Sequence, residues 1–301
     1  MKTPCYSVIA LLAGTALASA QSLGGMGYVT GEMQFEYGWA NGGSGDLTRA
    51  DLALGLDFGG VSAGRFGAEL GLKGYFSAEG SNALYALFPT LWYEGGYGRL
   101  TVGVPRSAMA DRVAMPKFGG SYMTHSFTEM FFNFTEAAQM FHDDIAYGIR
   151  YDTVLGGYDL GVSYHHFDQF GVDMLTAGIA RNYGAWDFAI GFEAMTDDIA
   201  DNNNIAATLG YDNGVYGARL TAGQTGMADG FGYALDAFYR PVDKLKLEAT
   251  YANYDFAGIG SVYGVNAEYA VFDTAVLGAG YVRGDYFGDI YGVYLRWNLD
   301  Y

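Results

Sequence analysis

The sequence predicts an all-β chain closed as a sixteen-stranded antiparallel transmembrane β-barrel with an inward-folded third loop. Three observations predict it. Apolar and polar residues alternate along about sixteen segments. After a short N-terminal leader, no run of about 18 apolar residues occurs, so no helix can span a bilayer. One long segment, 105–143, breaks the alternation yet is rich in Met and Phe.

The leader comes first. Met1-Lys2 is basic, Val8–Leu17 is apolar except for small residues and Thr15, and Ala18-Ser19-Ala20 is a small-x-small cleavage site. Residues 1–20 therefore read as a signal peptide, with 21–301 as the mature barrel. Cys5, the chain's one cysteine, lies in that leader, which excludes disulfide and thiolate chemistry from the mature chain. Loss of Lys2 takes the formal charge from −17 to −18. So acidic a chain will not bind nucleic acid by neutralising phosphates, and it attracts cations at low salt.

A mature chain without a spanning helix can cross a membrane only as a closed barrel, which satisfies every backbone group in lipid. The alternation fits. In the first strand Val29, Met33, Phe35, Tyr37 and Trp39 share one parity against Thr30, Glu32, Gln34 and Glu36. The second has Ala50, Leu52, Leu54, Leu56 and Phe58 against Arg49, Asp51 and Asp57, and the third has Phe66, Ala68, Leu70 and Leu72. The fourth covers Tyr85–Tyr93, and the fifth carries Leu100, Val102 and Val104. The sixth begins at Ile145, and further alternating segments start near Tyr158, Leu175, Trp186, Ile205, Tyr216, Tyr233, Leu245, Tyr263 and Ala275. The last is Tyr291–Tyr301, which must pair with the first to leave no open edge. Tight turns such as "YDNGVYG" alternate with longer polar connections such as "TDDIADNNN". The apolar parity carries no charge at mid-strand, where each would cost a few kcal/mol in lipid. Aromatics gather at strand ends, where interfacial girdles belong. The opposite parity is polar, small or charged, which predicts a wet lumen.

The segment 105–143, "PRSAMADRVAMPKFGGSYMTHSFTEMFFNFTEAAQMFHD", needs a wall to bury its Met and Phe side chains, and the barrel interior is the wall available. Its neighbourhood resembles the general diffusion porins, the sixteen-stranded trimeric family of the Gram-negative bacterial outer membrane. Tyr97–Met109 is similar to the family's fifth strand entering its third loop. Pro116-Lys117-Phe118-Gly119-Gly120 resembles a Pro-Glu-Phe-Gly-Gly element of that loop, with Lys117 in place of Glu and Ser121 where Asp is common. Asp143–His165 is similar to the hairpin that follows, and the C-terminal strand to the family's assembly signal, with Tyr301 for the usual Phe.

The resemblance implies a water-filled channel for ions and small hydrophilic solutes, contacts with membrane lipid and lipopolysaccharide, and a homotrimer. It also implies a constriction with loop carboxylates facing wall bases. The candidate acids are Asp111, Glu129, Glu136, Asp143 and Asp144; the candidate bases are Arg49, Arg65, Lys73, Arg99 and Arg150. Glu129, Glu136 and Arg65 are the preferred members. The acidic balance favours cations.

Other chemistry is weaker. Asp197–Asn204, "DDIADNNN", is rich in hard oxygen ligands and could hold Ca²⁺, but lacks the spacing of a dedicated calcium loop; no other cofactor is implied. No Gly-x-Ser-x-Gly or phosphate-binding loop occurs, so no catalytic residue is assigned. The alternatives are a substrate-specific channel, a barrel enzyme with a histidine such as His125 or His142 at one rim, or a plugged adhesin-type barrel.

Overall fold

The computed structural model describes residues 27–40, 43–61, 64–77, 83–120, 132–142, 144–196, 202–226, 229–286 and 288–300. The leader 1–20, Glu129, Asp143, Tyr301 and most of the Asp197–Asn204 segment lie outside them.

Sixteen antiparallel strands form one closed barrel in chain order. They are β1 (Gly27–Ala40), β2 (Gly43–Val61), β3 (Gly64–Phe76), β4 (Leu84–Gly95), β5 (Gly98–Gly103), β6 (Ala146–Leu155), β7 (Tyr158–Phe167) and β8 (Val172–Tyr183). The second half comprises β9 (Trp186–Thr196), β10 (Asn202–Asp212), β11 (Tyr216–Thr225), β12 (Gly230–Val242), β13 (Leu245–Tyr254), β14 (Gly260–Phe272), β15 (Ala275–Gly284) and β16 (Gly288–Asp300). Each expected strand is present. Closure is made by β1 on β16, in register from Thr30 opposite Asp300 to Ala40 opposite Ile290, so neither terminal strand is left with unpaired backbone.

The alternation becomes an apolar outer belt. Leu70, Leu91, Ile149, Leu175, Leu209, Leu235 and Val265 are between 45% and 60% exposed, which in water would be a large unfavourable apolar surface and in hydrocarbon is not. Aromatics pair across strand ends, as Trp186 with Tyr211 and Tyr281 with Tyr291.

The inner parity differs in part from the polar, small or charged wall the alternation suggests. Toward the turn end it is charged, with Glu69, Arg99, Asp152, Asp187, Arg240 and Lys246. Toward the loop end it carries Phe167, Met174, Met195, Tyr254, Val262, Val282 and Ile290, all buried. The reason is the connection between β5 and β6, whose Met109, Val113, Phe118 and Phe132 share one apolar cluster with Tyr254, Val262, Val282 and Ile290. Helix α1 (Phe134–His142) adds Ala138 beside Phe167, Met174 and Met195.

Candidate functional site: the charged cavities beside the long connection

The connection after β5 touches the inner parity on several sides. The Ala108 amide donates to Thr176 Oγ1 on β8 at 2.9 Å and to Ser163 Oγ on β7 at 3.1 Å. Thr221 on β11 reaches the Ala114 carbonyl at 3.5 Å. The turn Phe118–Gly120 then lies on β14 and β15, and Gln34 on β1 donates to the Gly120 carbonyl at 3.0 Å. Gly119 and Gly120 have φ of 57° and 69°, a region open to glycine but strained for other residues. Their seat is also glycine: a Cβ on Gly264 would stand 2.6 Å from the Gly119 amide nitrogen, and one on Gly280 would overlap the Gly119 carbonyl. Glu193 on β9 caps α1, accepting from the Phe134 amide at 2.8 Å and from Thr135 Oγ1 at 2.9 Å.

Two charged cavities flank this connection. The larger, about 510 Å³, is lined by the acids Glu32, Asp187, Asp212, Asp236, Glu248 and Glu268 and the bases Lys117, Arg219, Arg240, Lys246 and Arg296. The smaller, about 310 Å³, carries Glu69, Asp111, Asp152 and Asp159 against Arg99, Arg106, Arg112 and Arg150.

Of the candidates read from the sequence, Glu136 meets Lys73 at 2.5 Å and Asp111 pairs with Arg150, each a loop acid on a wall base. Arg150 also bonds Asp152 at 2.8 Å. Arg49 lies 3.0 Å from Asp51 and 3.5 Å from Glu32, and Arg99 lies 3.4 Å from Glu69. Two candidates sit elsewhere. Arg65 stands at the turn end with its side chain 63% exposed, paired with Asp57, because parity specifies the face of a residue but not its height on the strand. Asp144 is buried near the β7–β8 connection, accepting from the Gln169 amide at 3.4 Å and meeting none of the candidate bases.

Sequence reasoning missed the bases on the connection itself. Arg106 reaches Asp51 at 2.5 Å, Lys117 reaches Glu32 at 3.2 Å, and Arg112 reaches Asp152 at 2.8 Å and Asp159 at 2.6 Å. Burial works against the Arg106 charge, yet the Asp51 carboxylate more than offsets it and holds the guanidinium above its ordinary range. Burial pushes the Lys117 ammonium below the usual lysine value, with Glu32 pulling the other way. Glu32 and Asp51 are register partners on β1 and β2, so the ladder Arg106–Asp51–Arg49–Glu32–Lys117 is continuous. Acids and bases therefore alternate rather than forming two opposed rows. The signal was available: Glu32 and Asp51 lie on the same inner parity as Arg49.

Among the described residues the nearest approach to a catalytic pair is Ser163 Oγ with His165 Nε2, at 2.8 Å. Both residues are buried and the serine oxygen already accepts from Ala108, so neither is presented to a solute. Among the described residues no group of three or more acids and histidines gathers as a metal site.

Solved structures now place the architecture. A three-substitution mutant of the Rh. blastica porin superposes with a TM-score of 0.73 at 18% identity, covering 91% of this chain and all of that one. A second triple mutant, of the Rhodopseudomonas blastica porin, gives 0.71 at 17% identity over the same shares. The fold is that of a porin. An engineered protein described for asymmetric conductivity shares the porin fold too, at a TM-score of 0.72 and 18% identity. No protein-family model matches the sequence, and no curated protein does.

Proposed function

We propose that this chain is an outer-membrane porin, exported through its leader, in which the β5–β6 connection folds into the lumen and narrows a water-filled path for ions and small hydrophilic solutes. One observation carries the reading: a closed barrel with an apolar exterior encloses two cavities in whose lining charged side chains of both signs predominate. A hydrocarbon-facing exterior favours membrane insertion, and a charged interior favours water over lipid. Cation preference is supported by the formal charge of −17. It is supported too by the loop-end rim, where Asp168, Asp229, Asp255 and Asp285 are exposed. Trimeric assembly and contact with lipopolysaccharide rest on the family resemblance.

Swelling of liposomes carrying the pure protein tests the reading. Small sugars should enter and larger ones should be excluded; liposomes no more permeable than protein-free ones would overturn it. A plugged barrel is the second reading, favoured by the dry packing of Phe118 and Phe132 against the loop-end wall, and the same assay separates it.

A further inference from the structure

Most charges lining the larger cavity are matched. Arg219 lies 3.2 Å from Asp187, Arg240 3.3 Å from Asp212, Lys246 2.8 Å from Glu248 and Arg296 2.9 Å from Glu268. Asp236 is the exception: among the described residues it has no cation within ion-pair distance, and its Oδ1 accepts only from Thr250 Oγ1, at 2.7 Å. The residue directly opposite it in the β11–β12 register is Arg219. Neighbours of opposite charge at one register position would ordinarily close on each other. Here they do not. Arg219 turns toward Asp187, its buried Nε has no acceptor, and its side chain, which lines the cavity, is 43% exposed.

The structure thus holds a carboxylate and a guanidinium at one register position, both lining the 510 Å³ cavity. We propose that Asp236 and Arg219 form a binding station for zwitterionic solutes of the α-amino-acid pattern, with the solute's ammonium on Asp236 and its carboxylate on Arg219. A monocation would satisfy Asp236 but meet Arg219 with like charge, and a monoanion would reverse the conflict. A solute bearing both charges one carbon apart meets both groups with charge-assisted hydrogen bonds. The cavity's volume accommodates a whole amino acid. The inference deepens the channel reading and rests on it for the claim that solutes pass this point.

The test uses the full mature protein in detergent and in liposomes, with glycine, the monocation glycinamide and the monoanion N-acetylglycine as probes. Equilibrium binding is read by NMR line broadening of each probe, and entry by liposome uptake. Glycine should bind at least about tenfold more tightly than either singly charged relative, the loss expected when one charge-assisted bond is removed. Asp236→Asn and Arg219→Gln should each abolish that advantage. Asp168→Asn, which removes the same charge at the loop-end rim, should leave the glycine advantage intact. Equal binding of the three probes, or a glycine preference that survives in both cavity variants, overturns the station. Glycine binding without conductance or uptake keeps the station and overturns the channel reading; conductance without glycine preference does the reverse.

Discussion

Lys73 on β3 and Glu136 on α1 meet at 2.5 Å with side chains only 3% and 1% exposed, so the long connection is tied to the barrel wall by an ion pair shut away from bulk water. The same helix is held from the other side by Glu193, which caps its first turn. These two carboxylates do different work: one neutralises a wall cation, the other satisfies backbone amides that a helix start leaves unpaired.

Breaking that pair from one side should loosen the connection without opening the barrel. Glu136→Gln leaves Lys73 charged and buried, a loss of about 3–5 kcal/mol where nothing relaxes to compensate. The double variant Lys73→Met, Glu136→Leu should recover much of it. Limited proteolysis between 105 and 142 reads the loosening, and thermal unfolding in detergent reads the barrel. Equal protease resistance in the single variant and the parent would contradict the latch.

The glycine seat makes a second prediction. Gly280→Leu drives a side chain into the Gly119 carbonyl and should displace the Phe118–Gly120 turn, raising single-channel conductance and current noise. Gly96→Ala, whose Cβ would meet nothing within 4 Å, should behave as the parent. Unchanged conductance in Gly280→Leu would sever the link between the seat and the pore.

Glu32 is shared by three bases, Arg49 at 3.5 Å, Lys117 at 3.2 Å and Arg296 at 3.6 Å. Glu32→Gln therefore leaves an excess of positive charge at one place in the lumen. The zero-current potential in a potassium chloride gradient should shift toward anion preference, more so at low salt where screening is weak. A shift toward cations would show that this ladder does not border the ion path.

Lys117 gives a pH signature. Burial disfavours its ammonium relative to the unfolded chain, with Glu32 acting the other way. Stability linked to this group therefore grows as pH rises through its lowered pKa toward the ordinary lysine value. Over that window the lumen loses a positive charge before surface lysines titrate, and cation preference should rise. Lys117→Met should remove the step; a step that persists would assign it to another group.

Much of the barrel was legible because its period is two and its exterior medium is uniform. Every strand from Val29 to Leu299 could be read as apolar against polar. Glu32 and Asp51 show where the reading thins: they lie inward, but which inward charges share a height depends on register and stagger. Parity alone groups Arg65 with Lys73, although Arg65 sits at the turn end beside Asp57. The Met and Phe content marks the connection, but nothing in the spacing of its own bases Arg106, Arg112 and Lys117 shows that they reach wall acids. The apolar inner wall around Val262 and Val282 escaped notice because a residue facing a packed loop and one facing lipid are chemically alike.

The most direct test of the central claim is single-channel recording of the pure mature protein in a planar bilayer. Discrete, stable steps of potassium chloride conductance that grow roughly in proportion to salt concentration are the result expected of a wet lumen inside a hydrocarbon-facing barrel. A protein that inserts, as judged by protease protection, yet carries no current at any salt concentration would contradict it.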